Sequence, residues 1–350
     1  MMSKDKVLIG MSGGVDSTVS TLLLKEMGYD VEGVYMRLHS KPGYHEIHQT
    51  RAEKAAKFAG VKLHILNKEE EFASKVVKPF VKTYQDGLTP NPCALCNRNM
   101  KFGALIELAD DIGAKYLATG HYIKTDGEYL YQADDQSKDQ SYFLFYIDPS
   151  IVPRLLFPLA TRHKDDIKAY AASIRGLESY ATQAESSEIC FVEHNYTDTL
   201  KEYIDVDMEG EVLNTDGVVV GKHKGYMHYT IGKRKGFSVH GAHEPHFVLK
   251  ILPQTNQIVV ASRDELEVTR VVLERVNLFD KREEFDAYVK LRYRTEAVPC
   301  HVKIDADGAV VELKQSVFGV ATGQAAVFYD QDRLLGGGWI IDTEEMRDDT

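Results

Sequence analysis

The hydrophobic pattern predicts an α/β amino-terminal part followed by two smaller β-rich parts. In the first part, apolar or β-branched runs at residues 6–11, 30–35, 62–66 and 116–119 alternate with helical spacing at 16–27, 46–59, 72–84 and 101–112. Strand–helix alternation of this kind builds a parallel sheet covered on both faces. From about residue 205 the pattern changes. Short strands at 218–221, 247–251, 258–261, 271–276, 287–292, 300–304, 310–313 and 325–329 are separated by Gly, Asn and Asp turns, as in small sheets or a barrel. The expected divisions are 1–204, a small central module at 205–269 and a β-barrel-like module at 270–350. The polar tail, 343–350, is expected to fray.

With 350 residues and 43% hydrophobic content, the chain can bury two or three sizeable cores. No apolar run reaches the roughly 18 residues of a membrane span. The start, Met-Met-Ser-Lys-Asp-Lys, lacks the apolar stretch of a signal peptide, so the cytoplasm is expected. Four cysteines do not make a secreted disulfide framework. A net charge of −11 is the wrong sign for a general nucleic-acid binder, so any such site must be a local basic patch. Residues 221–236 supply one, with Lys222, Lys224, Lys233, Arg234 and Lys235 and no acidic residue. His223, Tyr226, His228 and Tyr229 are interleaved, offering rings for base stacking. A solvated hairpin loop would have the same composition.

Each amino-terminal element leads to one motif. The strand at 6–11 runs into Gly10-Met11-Ser12-Gly13-Gly14-Val15-Asp16-Ser17, and the helix at 16–27 follows and stops at Gly28. Two glycines let backbone N–H groups approach a phosphate, the helix start adds partial positive charge, and Ser12 and Ser17 add hydroxyl donors. Asp16 is placed to cap the helix or to help hold magnesium. No Gly-Lys-Ser/Thr closes the turn, so it is not a Walker loop. The order Ser-Gly-Gly-x-Asp-Ser resembles the PP-loop of ATP pyrophosphatases, which cleave ATP between the α and β phosphates and adenylate an oxygen of the substrate. Ligands of parallel sheets sit at the carboxyl ends of strands. The turn, Met36 after the second strand and the stretch Thr119-Gly120-His121-Tyr122 are therefore expected to share one crevice.

Cys93 and Cys96 lie in Thr89-Pro90-Asn91-Pro92-Cys93-Ala94-Leu95-Cys96-Asn97, read as a proline-stiffened loop before the helix at 101–112. A cysteine just before a helix N-terminus has a lowered pKa. Zinc would want a second Cys-x-x-Cys or paired histidines, whereas Cys190 and Cys300 each stand alone. Cys300 fits a buried core position. Cys190 follows the polar stretch Glu185-Ser186-Ser187-Glu188-Ile189.

Together with Ala118–Tyr122, Lys138–Leu144, Thr230–Arg234, Arg292–Arg294 and the stretch 323–341, these motifs resemble the tRNA-specific 2-thiouridylases of the MnmA type over nearly the whole chain. The resemblance implies a PP-loop domain of the adenine nucleotide α-hydrolase-like kind, followed by a central domain and a C-terminal β-barrel. It implies ATP-dependent replacement of the C2 oxygen of the wobble uridine by sulfur. By residue, it implies that Gly10, Met11, Ser12, Gly13, Gly14, Val15, Asp16, Ser17, Met36 and Gly120 bind ATP, which enters with magnesium as a substrate. Cys96 is the implied nucleophile and Cys190 the persulfide carrier. Asn91, Pro92 and Cys93 lie against the target base, and His121, Lys138, Asp139, Gln140, Arg292, Tyr293 and Gln324 contact tRNA or shape the site. No metal ligand is implied. The implied partners are tRNA and a persulfide donor protein, with a monomer when free. The chain departs from the family pattern in having Cys93 where many relatives have Asp, Lys233 where Gln is usual, and Thr322 where Pro is usual.

The chemistry requires both halves of this constellation. A uracil C2 carbonyl is a poor electrophile, and adenylation converts its oxygen into a leaving group. Two thiols then carry the sulfur and release it by exchange. Asp139 or His121 is placed to assist proton transfer. Three other readings predict different requirements. An iron–sulfur sulfurase would use Cys93, Cys96 and Cys190 as cluster ligands. A PP-loop ligase or amidase acting on a small molecule would need neither the cysteines nor the basic segment. A non-enzymatic RNA-binding protein would bind tRNA without releasing AMP.

Overall fold

The computed structural model describes residues 4–182, 189–192, 195–240 and 244–345. Residues 185–188 of the stretch before Cys190, and 346–350 of the tail, lie outside them. The chain divides into two compact units: Met1–Val76 with Cys93–Ser186 and Asp332–Leu334, and Val77–Pro92 with Ser187–Gln331 and Leu335–Thr350.

The first unit is the predicted parallel sheet. Strands β1 (Lys6–Gly10), β2 (Asp30–Arg37) and β3 (Leu63–Asn67) alternate with helices α1 (Val15–Glu26) and α2 (Tyr44–Ala59). Val7, Leu8 and Ile9 of β1 are all buried, as a strand covered on both faces must be. Val15, Val19 and Leu23 of α1, and the small Ala52, Ala55 and Ala56 of α2, close that core. Met36 lies inside β2, paired with Leu66, and not after the strand as expected.

The helices expected at 72–84 and 101–112 both begin earlier and are interrupted. The first consists of α3 (Glu69–Phe72), a π-helical turn Ala73–Val77 and α4 (Lys78–Gln85). The second consists of α5 (Pro92–Cys96), a π-helical run Asn97–Ala104 and α6 (Leu105–Asp111). Cys93 and Cys96 therefore sit within the helical run and not in a loop before it. Next come β4 (Tyr116–Ala118), a hairpin of β5 (Lys124–Thr125) and β6 (Leu130–Tyr131), β7 (Leu155–Leu156), α7 (Lys164–Ser173) and α8 (Glu178–Ala181). The sheet order is β3-β2-β1-β4-β7, with every pairing parallel.

The second unit holds α4, α9 (Tyr196–Lys201) and two β-structures. Strands β8 (Gly210–Leu213), β9 (Val219–His223), β10 (Phe247–Leu252) and β11 (Gln257–Ala261) form a sheet in the order β10-β11-β8-β9. The barrel comprises β12 (Glu267–Leu278), β13 (Glu284–Lys290), β14 (Val298–Ile304), β15 (Ala309–Phe318), β16 (Ala325–Asp330) and β17 (Arg333–Glu345). Pairing of β12 with both β15 and β17 closes it. In β13, Phe285, Ala287 and Val289 face the core while Glu284, Asp286 and Tyr288 face out, the period-2 alternation of a half-buried strand. Cys300 lies in that core, and burial pushes its thiol up to about 12, so it stays protonated. Sequence reading missed β8 and β17, and Thr343–Glu345 continue β17 instead of fraying. Among the described residues no helix is long and apolar enough to cross a membrane.

A polar clamp runs across the first sheet. The Glu32 carboxylate accepts from Lys6 Nζ at 2.9 Å and from His64 Nε2 at 2.6 Å, linking β1, β2 and β3. These hydrogen bonds lower its pKa from an ordinary 4.5 to about 2. A depressed carboxylate stabilises the fold above its unfolded pKa and loses that contribution as the pH falls through its folded pKa. Glu32→Gln should therefore cost about 1.5–3 kcal/mol at pH 7. The gap between variant and parent should close between pH 4.5 and pH 2. Denaturant midpoints across that range test this, and a gap of constant size would disprove the assignment.

Candidate active site

The turn between β1 and α1 is built by its own small side chains. Met11 N–H donates to Val34 O at 2.8 Å, which fixes where β1 ends. Ser17 Oγ and Thr18 Oγ1 donate to Gly14 O at 3.1 and 2.9 Å, and the Ser12 and Ser17 hydroxyls lie 3.3 Å apart. Gly13 has φ +80°, and a Cβ there would stand 2.7 Å from His48 O and 2.9 Å from Arg51 Cβ. The position thus demands glycine on two counts. At Gly120 a Cβ would lie 3.2 Å from Ser17 N, so the segment after β4 passes directly over the start of α1.

Asp16 does not cap the helix. Gly14 is the N-cap residue, with no side-chain cap. Instead both Asp16 carboxylate oxygens accept from Lys164 Nζ at 2.6 Å, and Oδ1 also accepts from Tyr122 Oη at 2.8 Å. Lys164, at the start of α7, is buried and was missed from sequence. It stands 148 positions from Asp16 in the chain, and nothing in the local pattern around His163-Lys164-Asp165 marks it. Lys138 and Lys164 line one cavity of about 280 Å³ with Asp135, Ser137, His163 and Asp165. The turn at 10–17, the segment Thr119–Tyr122 and Lys138 are thus gathered on one side of the sheet.

The two expected proton-transfer groups are both buried and hydrogen-bonded within the unit. His121 is buried, with Lys101 Nζ donating to its Nε2 at 3.2 Å and Thr119 Oγ1 2.8 Å from its Nδ1. Nδ1 therefore carries the proton. Burial first, and the Lys101 charge second, hold its pKa well below 6.5, so the ring is neutral at pH 7. Buried Asp139 accepts from Ala133 N–H at 3.0 Å and Ser141 Oγ at 2.7 Å. Gln140 Oε1 accepts from Tyr122 N–H at 3.0 Å. Both residues order the loop that holds Tyr122 against Asp16.

Proline at the first position of α5 suits a helix start, where an N–H would have no helical acceptor. Cys96 is buried and Cys93 half-buried, one turn apart on this run. Asn97 Nδ2 donates to Phe143 O at 3.0 Å, and Asn99 Nδ2 to Leu95 O at 2.9 Å, anchoring the helix beyond Cys96. Asn91 is buried.

In the second unit, Cys190 is exposed, and its neighbour Phe191 is buried against Phe80 of α4 with ring centroids 5.1 Å apart. Gln324 Nε2 donates to Pro90 O at 2.8 Å, and Thr89 N–H to Thr322 O at 2.9 Å, which holds the segment leading to Asn91. Arg292 Nη2 donates to Ile231 O at 3.0 Å and also to Gly319 O, joining two glycine turns. Tyr293 is half-buried next to it in the chain. The rings of segment 221–236 do not form a stacking surface: His223, Tyr226, His228 and Tyr229 are all buried. Tyr226 Oη donates to Gln85 O at 2.7 Å, and Tyr229 Oη to Gly236 O. The segment meets solvent through Lys222, Lys224, Arg234 and Lys235. Among the described residues no three His, Cys, Asp or Glu side chains gather as a metal site.

Three domain families match the chain in order: a tRNA methyl transferase HUP domain at residues 5–194, a tRNA methyl transferase PRC-barrel domain at 197–262 and an aminomethyltransferase beta-barrel domain at 266–340. A tRNA-specific 2-thiouridylase MnmA from Sulfurimonas denitrificans is 64% identical over 341 residues, covering 97% of this chain and 100% of the relative. Proteins of the same name from Nitratiruptor sp. and Campylobacter jejuni are 54% and 52% identical, covering 97% and 96% of this chain and 100% and 99% of theirs.

The two counts against a side chain at residue 13 can be separated. Gly28 has φ +93° and nothing within 4 Å of an added Cβ, so Gly28→Ala should cost only the left-handed strain of about 1–2 kcal/mol. Gly13→Ala adds the clash with His48 O and should cost at least about 3 kcal/mol. Equal losses in chemical denaturation would show that the backbone of α2 yields without resistance.

Proposed function

Because the chain belongs to the tRNA-specific 2-thiouridylase family, we propose that it uses ATP to replace the C2 oxygen of a tRNA wobble uridine with sulfur. The observation that carries this reading is the union, in one family member, of an anion-cradling turn at 10–17 and two thiols at 96 and 190. The matched domain descriptions speak of methyl transfer. Sulfur transfer accounts for the paired cysteines, and every close relative above carries the thiouridylase name.

ATP enters with its magnesium as substrate. The N–H groups and hydroxyls of residues 12–17 receive its phosphates, and Gly120 leaves room for them at the start of α1. Lys164 and Lys138 supply the cations that a loop without its own lysine lacks. The uridine O2 attacks the α phosphate, pyrophosphate leaves, and the base carries AMP on that oxygen. The terminal sulfur of a Cys190 persulfide attacks C2, and AMP departs with its oxygen. The Cys96 thiolate then attacks the Cys190 sulfur. The C2–S group is released as the thiocarbonyl and a Cys96–Cys190 disulfide remains, which an external thiol must reduce before the next turnover. Neutral His121 serves as a positioning residue that orients Lys101 and Thr119. A persulfide-bearing protein loads Cys190, and the enzyme works as a monomer in the cytoplasm, where thiol reductants are supplied.

Cys190→Ser should fail to accept labelled persulfide sulfur, whereas Cys96→Ser should accept it and yield no 2-thiouridine on mass spectrometry of digested tRNA. Equal labelling of both variants would remove Cys190 as the carrier. Protein prepared without oxygen should thiolate tRNA with about zero iron per chain. About three to four irons, with activity that vanishes on chelation, would replace the persulfide route with a cluster held by Cys93, Cys96 and Cys190.

A further inference from the structure

We propose that a cavity in the second unit, lined by Lys224, Lys233 and Lys235, seats one backbone phosphate of the RNA substrate. The proposal rests on the thiolation reading above and names a docking point that the reading does not supply. The cavity measures about 350 Å³, and Asn195, Tyr196, Thr197, His228 and Tyr229 complete its wall. Its volume is in the range of small-molecule sites and accommodates a nucleotide-sized group.

Three observations point to an anion. First, three lysines line one cavity in a chain whose net charge is −11, so the concentration of positive charge is local. Second, Lys233 is held in place. Its Nζ donates to His228 O at 2.7 Å and lies 5.3 Å from the centre of the Tyr229 ring. Burial, and then the Lys224 charge, lower its pKa. Third, the carboxylate that faces this wall is already engaged. Asp207 accepts from His228 Nε2 at 2.7 Å and from Lys201 Nζ at 2.6 Å. The buried rings around the cavity leave electrostatics as the means of contact, and a phosphodiester is the RNA group that answers it.

The test compares two double variants of the full chain that remove equal charge from the same segment. Lys224→Ala with Lys235→Ala removes two cavity cations. Lys222→Ala with Arg234→Ala removes two exposed cations that do not line it. Unmodified tRNA is titrated at several salt concentrations. The cavity variant should bind at least about ten-fold more weakly, with a log–log salt slope smaller by roughly one, and the control should lose about three-fold or less. Lys233→Gln keeps a donor for His228 O and should reproduce the smaller slope, so a folding defect cannot imitate the result. Equal effects of the two double variants would overturn the proposal in favour of diffuse attraction. Pyrophosphate binding that is lost in the cavity variant while tRNA binding is kept would also overturn it, since the pocket would then take a free anion. Cavity variants should recover parental 2-thiouridine formation at saturating tRNA. A parent protein that forms none defeats the thiolation reading itself, whereas a thiolating parent with unchanged slopes defeats only the pocket.

Discussion

The ion pair between Asp16 and Lys164 organises the first unit. The carboxylate belongs to the first turn of α1, the ammonium to the first turn of α7, and Tyr122 adds a hydroxyl from the segment after β4. Three stretches remote in sequence are thereby fixed against the turn that follows β1. Lys164 is buried while the Asp16 side chain is 32% exposed, so the pair stands at the solvent edge of the turn. Asp139 and Gln140, which hold the loop around Tyr122, and Lys101, which meets neutral His121, are arranged around this centre.

Its chemistry follows from its charge. A triphosphate approaching residues 12–17 meets hydroxyls and N–H groups in a turn that has no lysine of its own. Lys164 arrives from α7 and brings the missing cation, partly neutralised by Asp16 until a polyanion competes for it. The geometry thus places hydroxyl donors, a lysine and a carboxylate in one locus at the start of α1.

The sequence reveals this centre unevenly. The turn at 10–17 is legible because all of its interactions fall within eight consecutive residues and every residue type has a local reason. The parallel sheet is legible because Val7, Leu8 and Ile9 make β1 apolar on both faces and strand-like runs alternate with helical spacing. Lys164 is invisible, since a lysine at the head of an ordinary amphipathic helix has no local trait that distinguishes it. The helix carrying Cys96 begins at Pro92, earlier than its hydrophobic spacing suggests, because prolines and small residues at 90–94 look like loop until Pro92 is recognised as a first-turn residue. The aromatic residues at 223–229 mislead for the opposite reason. Tyrosine and histidine beside lysine resemble a stacking surface, but burial depends on what packs over them, here the carbonyl of Gln85 for Tyr226 and Asp207 for His228. Arg292 and Gln324 donate to backbone carbonyls of distant turns, and no pattern along the chain announces such partners.

The π-helical run Asn97–Ala104 sets the angular phase of everything downstream of Cys96. A π turn holds more residues than an α turn, and Gly103 is where the crowding shows: a Cβ there would stand 2.9 Å from Arg98 O, five residues back. Shortening this run by one residue would let the helix relax to regular α geometry and would improve its local hydrogen bonding. It would leave α6 close to its present phase relative to Cys96, because the wide turn is what holds the extra residue. The segment can consequently lose one residue with less disturbance downstream than a regular helix, in which each deletion turns the following face by about 100°, a tolerance that substitutions at its individual positions would never reveal.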